Sequence, residues 1–475
     1  MKKLKIGLVG LIQLNYRGNK QEVYARSIDG LNALSKEMNF EFYYRKDFVV
    51  TKADAIDAKK EMERENVDLL LVQSTSFSSG FLIQELAQFN AYIGLWAVPE
   101  STKSGPLPLN SFCNMNLNMS ELDRFMFYLN KDAKWFYGYP DDELFKRRFE
   151  VTVRALRAIK NIRGSKFLLV GGRAPGFDNL FYDPRVLKAK LDVSVDEMEF
   201  GDLKARFFNQ PIEKIKDTVK EIESRYVISD MYAQNTITKM ATLINTIREI
   251  KEEGTYDGFA ISCWPRFRAE LGMVPCASYA FLSEEMSTTV CEGDIVSLIS
   301  MKILEYIADY PAILMDMSDF DRQDNSVFLW HCGIGNKFYA KPGTLSLEKH
   351  FNPGPKDPEK GWLTMAPVTT MKFDDMPVTV ARLSNNIDKY YVLTGEFFDS
   401  PSKPDYDGSR GWLGKLRFMD EDISALDLVN TILINKLEHH FPIVKGTYDA
   451  EVIELMNWLG FESVKKVTYK DYYQK

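Results

Sequence analysis

Short, continuously apolar runs alternating with amphipathic stretches occupy roughly the first 310 residues, and this rhythm constrains the fold more than any other feature of the chain. Lys5 to Val9, Asp68 to Gln73 and Tyr92 to Val98 are runs of strand length, separated by helical patterns at Gln21 to Met38, Lys52 to Asn66 and Phe81 to Gln88. A strand that is apolar along its whole length is buried on both faces, which is the condition of a parallel sheet covered by helices. The same style resumes after the helical segment Asp141 to Ile162, with strands at Lys166 to Val170 and Gly258 to Ser262 and helices at Ile212 to Glu223 and Asp230 to Lys251.

After about Pro311 the texture becomes alternating and aromatic-rich, as in Val327 to His331, Met371 to Phe373, Val378 to Leu383 and Tyr390 to Phe397, which are strands of an antiparallel domain. Asn352 to Lys360 and Ser400 to Ser409 read as turn-rich loops. The expectation is an α/β chain of two doubly wound Rossmann-like domains, 1–163 and 164–310, followed by a C-terminal antiparallel β-barrel-like domain, 311–475.

A net charge of -7 gives no continuous basic surface for a phosphate backbone, so nucleic acid is excluded as a partner. No apolar run approaches the ~20 residues that span a bilayer, and the opening Met-Lys-Lys-Leu-Lys-Ile is read as a first strand instead of a signal. Five cysteines without tight metal-type pairing fit a reducing compartment, so the expected location is the cytoplasm. Gly7 and Gly10 do not form a dinucleotide fingerprint, and Gly171 to Gly176 lacks the Lys-Ser/Thr of a phosphate loop, so that segment is read as a strand-to-helix turn with no chemistry of its own.

All four histidines, His331, His350, His439 and His440, lie beyond residue 330. With carboxylates they are the ligands suited to a divalent ion that must keep positions open for a sugar hydroxyl and carbonyl. Taken alone, His439 and His440 fit either a metal site or a pair closing the preceding helix through its dipole. Two acids, Glu270 and Asp294, flank a loop-and-helix unit after the strand Gly258 to Ser262, where open α/β sheets hold ligands; singly, each also fits a helix-start acid.

The pattern Cys263-Trp264-Pro265 through Glu270-Leu271-Gly272 and Pro275-Cys276, then Cys291-Glu292-Gly293-Asp294-Ile295, then His439-His440, resembles the L-fucose/L-arabinose isomerase superfamily. The resemblance extends to Gly171-Gly172-Arg173-Ala174-Pro175-Gly176-Phe177 and Leu95-Trp96-Ala97-Val98-Pro99-Glu100. It implies an aldose–ketose isomerase in which a Glu and an acid about two dozen residues on hold Mn²⁺, or another divalent metal, with a late His. Glu270 and Asp294 (294 − 270, or 24 residues) and His440 match that set, with His439 as a substrate partner and His331 as a further ligand. It also implies that Arg17 reaches a neighbouring subunit's site, in a homo-oligomer that is a trimer or hexamer.

Such a reaction moves one proton between C1 and C2 and another between O1 and O2 through an ene-diol, with Glu270 and Asp294 as base and acid. Trp264, Trp330 and Trp412 are candidates to stack on the sugar, and each also fits a core role. The implied substrate is a monosaccharide of the L-fucose or arabinose type. Sulfoquinovose is the alternative within the superfamily, with Arg266, Arg268, Arg410 and Arg417 as cations for its sulfonate. A non-catalytic sugar-binding protein and a metal-dependent hydrolase are the readings from other classes.

Overall fold

Lys5–Leu11 (β1) and Leu69–Ser74 (β3) are almost wholly buried along their length, as strands covered on both faces must be. They belong to a computed structural model that describes residues 1–126, 132–350, 356–357, 361–362 and 366–474. The chain divides into two compact units, Met1–Lys160 and Asn161–Lys475.

In the first unit β1 and β3 are joined by Glu41–Tyr44 (β2), Tyr92–Ala97 (β4) and Ala133–Tyr137 (β5), in the parallel order β2-β1-β3-β4-β5. β2 and β5 escape detection in sequence because they are short and only half-buried. Helices connect the strands. Lys52–Arg64 begins with a reciprocal cap, in which Thr51 accepts from the Asp54 amide and Asp54 accepts from the Thr51 amide.

The second unit opens with a four-stranded parallel sheet of Lys166–Val170 (β6), Ser194–Met198 (β7), Gly258–Ile261 (β8) and Thr289–Val290 (β9), in the order β9-β8-β6-β7. The helix Ile295–Ala308 follows and is buried on every face as far as Ile307. A helix buried on every face needs neighbours all round, and this one packs on both the parallel sheet and the antiparallel strands beyond it.

Those strands close into a barrel. Ile313–Asp321 (β10), Ser326–His331 (β11), Met376–Leu383 (β12), Lys389–Phe398 (β13), Ser409–Phe418 (β14) and His440–Lys445 (β15) pair antiparallel in the ring β10-β11-β14-β13-β12-β15-β10. The antiparallel C-terminal texture read from the sequence is thus a closed six-stranded barrel, which leaves none of the six strands as a free edge. Of the predicted loop 352–360, only Lys356–Asp357 is described, as a strand paired with Gly361–Trp362; the rest lies outside the described residues.

β13 and β14 pair through a bulge between Thr394 and Glu396, where Gly395 packs closely on the Gly414 backbone. A Cβ on Gly395 would stand 2.7 Å from the Gly414 carbonyl oxygen, which is backbone and cannot turn aside. Gly395→Val therefore destabilises the barrel by about 1–3 kcal/mol, to be read as a lowered denaturant midpoint. An unchanged midpoint would show that the seam has slack.

Candidate functional site

Three neighbouring barrel strands carry the chemistry to one end of the barrel. Asp316 on β10 stands directly across from His440, the first residue of β15, and His331 is the last residue of β11. Residues directly opposed in an antiparallel pair share a face, so the register itself sets Asp316 beside His440. The Asp316 Oδ1 atom lies 3.9 Å from His440 Nε2 and, although buried, has no hydrogen-bond partner.

The loop between β9 and the helix Ile295–Ala308 supplies the other acids. Glu292 and Gly293 both adopt left-handed backbone, at φ of 60° and 72°. That is costly for a glutamate and typical of residues whose placement matters. Gly293 has no alternative, because a Cβ there would stand 2.4 Å from the Gly172 carbonyl oxygen. The turn seats the Gly171 to Gly176 loop against the site, with the Ala174 amide donating to the Glu292 carbonyl at 3.0 Å. A segment read from sequence as having no chemistry of its own is therefore packed on the candidate residues.

Glu292 Oε2 is 3.1 Å from Nε2 of His439 and 3.5 Å from Nε2 of His440. His439 also meets Asn179 Nδ2 at 3.4 Å and packs on the Phe177 ring. Burial works against its protonation, but the hydrogen bond to Glu292 and the charge of Asp316 outweigh burial and raise its pKa. His331 is shifted upward too, with burial overcome by Cys332 and Asp316.

Asp294 caps the helix Ile295–Ala308 by accepting from the Ser297 amide at 3.0 Å. Its other oxygen accepts from Ser297 Oγ at 2.6 Å and Arg382 Nη2 at 2.9 Å, and meets His440 Nδ1 at 2.8 Å. Burial opposes ionisation of Asp294, yet Arg382 and His440 hold its carboxyl well below the usual carboxylate range. An ionised Asp294 can only accept, so His440 Nδ1 keeps its proton and donates it in this hydrogen bond, and in the neutral ring Nε2 is a lone pair turned toward Cys291, Glu292 and Asp316. Arg382 has no exposed surface and also pairs with Glu438 at 2.8 Å.

Asp294, His439 and His440 are thus brought together, with His331 beside them. Glu270 is on the short turn Phe267–Leu271, where Lys204 and Arg266 pair with its two oxygens and lower its pKa. Trp264 is half-exposed, and Trp412 is buried on β14 against Phe328. Arg17 is exposed in the loop after β1. Arg410 is bound to Asp405, Arg417 to Asp420, and Arg268 is half-buried on the turn that carries Glu270.

The structure sets Glu292 and Asp316 beside these histidines, two acids that the sequence reading does not single out. The signal for Asp316 was a lone carboxylate inside the apolar run Ala312 to Met317. The interval from Glu292 to Asp316 (316 − 292, or 24 residues) equals that from Glu270 to Asp294, so spacing alone could not choose between the pairs.

The donor set suits a divalent cation. Oxygen and nitrogen ligands converge, and the buried, unpartnered Asp316 oxygen is an atom that a cation would satisfy. Glu292, His439 and His440 offer atoms all within 4.8 Å of one another, as do Cys291, His331 and His440.

Several curated relatives are sulfoquinovose isomerases. That of Priestia aryabhattai is 27% identical over 420 residues, spanning 87% of this chain and 89% of the relative. That of Alkalicoccus urumqiensis is 25% identical, spanning 86% and 88%. That of Clostridium sp. (strain MSTE9) is 21% identical, spanning 83% and 85%. No family model matches the chain. Among solved structures, a glucose-galactose binding protein from Geobacillus stearothermophilus matches 65% of this chain and 93% of its own at 11% identity, with a TM-score of 0.18, which supports no comparison of fold.

Leaving the Asp294 carboxylate buried without its cation costs about 3–5 kcal/mol, so Arg382→Met lowers the unfolding free energy by about that amount, read from denaturant unfolding. Because the folded pKa of Asp294 is depressed, its contribution to stability is present above the ordinary carboxylate pKa, about 4, and is lost as pH falls below it. Unfolding followed from pH 7 to pH 3 should show that loss in the wild type and a shallower one in Asp294→Asn.

Proposed function

Since the chain is similar over most of its length to sulfoquinovose isomerases, we propose that it interconverts a sulfonated aldose and its ketose at a divalent-metal centre held by Glu292, Asp316, His331 and His440. The observation that carries this reading is the buried, unpartnered Asp316 oxygen turned toward a histidine whose other nitrogen is tied to an ionised carboxylate. The pair Glu292 and Asp316 also meets the two-dozen-residue interval that the superfamily resemblance implies.

When bound, the ion would draw charge from the substrate carbonyl and hydroxyl, which makes the proton on the adjoining carbon easier to remove. The protein side chains do the rest. Glu292 and Asp316 are partly exposed carboxylates, so either can reach a bound sugar, take the proton from one carbon and return it to its neighbour, giving an ene-diol path. His439, hydrogen-bonded to Glu292 and open to solvent on one side, is suited to holding a sugar hydroxyl or passing the oxygen proton. Asp294 and Arg382 act behind His440 by fixing its tautomer and ring orientation. Glu270, engaged with Lys204 and Arg266, is assigned no proton transfer.

The sulfonated substrate takes precedence over an L-fucose or arabinose sugar because the relatives above are sulfoquinovose isomerases. Metal-loaded protein supplied with sulfoquinovose, L-fucose, D-arabinose and L-arabinose in deuterated solvent should form ketose from sulfoquinovose and carry label at C1 or C2. Chelation should abolish turnover, and Glu292→Gln and Asp316→Asn should each lower kcat by about 10²–10⁴-fold. Turnover of a neutral sugar alone would reject the sulfonate reading. Full activity in Glu292→Gln with loss in Glu270→Gln would move the base to Glu270.

A further inference from the structure

We propose that the Cys291 thiol is itself a ligand of the ion, so that the centre is a mixed thiolate, imidazole and carboxylate site that favours zinc, cobalt(II) or iron(II) over manganese. The inference rests on the metal-centre reading above and specifies which ion class this chain selects.

Cys291 Sγ lies 3.3 Å from Nε2 of His331 and 3.9 Å from Nε2 of His440, and all three residues are buried. The two imidazoles come from different strands, β11 and β15, and each has its Nδ1 engaged elsewhere, at Cys332 (3.5 Å) and at Asp294 (2.8 Å). What remains at the centre is one sulfur and two Nε2 atoms. A tetrahedral ion about 2.3 Å from sulfur and about 2.0 Å from nitrogen sets neighbouring ligand atoms roughly 3.5 Å apart. The two sulfur–nitrogen separations bracket that spacing.

The Asp316 oxygen, 3.9 Å from His440 Nε2 and without a partner, stands beside this set of one sulfur and two nitrogens as an oxygen free to join it. Glu292, at 3.5 Å from the same nitrogen, stands where it can exchange with substrate. Thiolate is a soft donor that oxygen-preferring Mn²⁺ binds poorly and Zn²⁺ binds well. On binding, the thiol proton leaves to solvent and the sulfur enters as thiolate. The neighbouring Cys263 hydrogen-bonds the Cys291 thiol and sets a second sulfur beside the first.

Metal-free full-length protein titrated with Co²⁺ separates the possibilities, because a cobalt–thiolate bond gives a near-ultraviolet charge-transfer band that imidazole and carboxylate ligands do not. The expected result is that band in the wild type and in Cys263→Ser, and its loss in Cys291→Ser and Cys291→Ala with cobalt still bound. In competition, the preference for Zn²⁺ over Mn²⁺ should fall at least ~10-fold in Cys291→Ser. Bound cobalt without the band in the wild type, or a band that survives in both Cys291 variants, would overturn thiol ligation and leave the centre of Glu292, Asp316, His331 and His440 standing. No bound cobalt in folded wild type would instead overturn the metal-centre reading, and the thiol with it.

Discussion

Arg382 carries a full charge with none of its surface open to water, and the candidate site depends on how that charge is answered. Removing a guanidinium from water is affordable only where carboxylates and acceptors meet it in good geometry. Asp294 and Glu438 neutralise it, and Ser297 Oγ and the Leu383 carbonyl take its remaining donors at 3.1 and 3.0 Å. Arg382 belongs to β12, Asp294 caps the helix Ile295–Ala308, and Glu438 lies two residues before β15. One side chain therefore locks a barrel strand, a buried helix and the approach to the histidine pair. Such a network specifies an arrangement more than it adds stability, since half-satisfied versions of it are strongly penalised.

The consequence reaches the site through His440. With Asp294 held ionised, the imidazole proton belongs on Nδ1, and Nε2 must face the opposite way. The barrel register decides what it faces. Asp316 is across the strand pair at that level, while the left-handed turn at Glu292 and Gly293 folds Cys291 and Glu292 in from the other side. The strained turn is tolerable because the Ala174 amide and the close packing of Gly172 over-determine it, which is how a costly backbone conformation persists.

This division explains what could be read from the sequence. Apolar runs such as that in Asp68 to Gln73 declare buried parallel strands because both faces are covered, and Tyr390 to Phe397 declares an antiparallel strand because β-branched and aromatic residues crowd it. Closure of the barrel is not legible in any one strand, since it depends on the bulge at Gly395 meeting Gly414 across 19 positions (414 − 395). The histidine pair was conspicuous by composition. Asp294 was conspicuous as a helix-start acid beside a strand end, and the structure gives it both a cap and a histidine to hold. Glu292 and Asp316 were obscure because what marks them is tertiary. One is marked by a backbone turn that another loop must accommodate, the other by a carboxylate whose cross-strand neighbours arrive from β11 and β15.

The placement also bears on why the acids differ in kind. Asp294 has every oxygen committed and no exposed surface, so it can hold a ring in place but cannot meet a substrate. Glu292 and Asp316 keep part of their surface open and at least one oxygen uncommitted or shared only with histidine. Glu270 is partly exposed too, but two cations lower its basicity, which weakens it as a proton acceptor. Proton transfer at carbon needs a carboxylate that is reachable, ionised and not already neutralised by a fixed cation. Glu292 and Asp316 are partly exposed and share their oxygens with histidine instead of a lysine or arginine, which is why the proposed proton transfer is placed on them and Asp294 is given the supporting part.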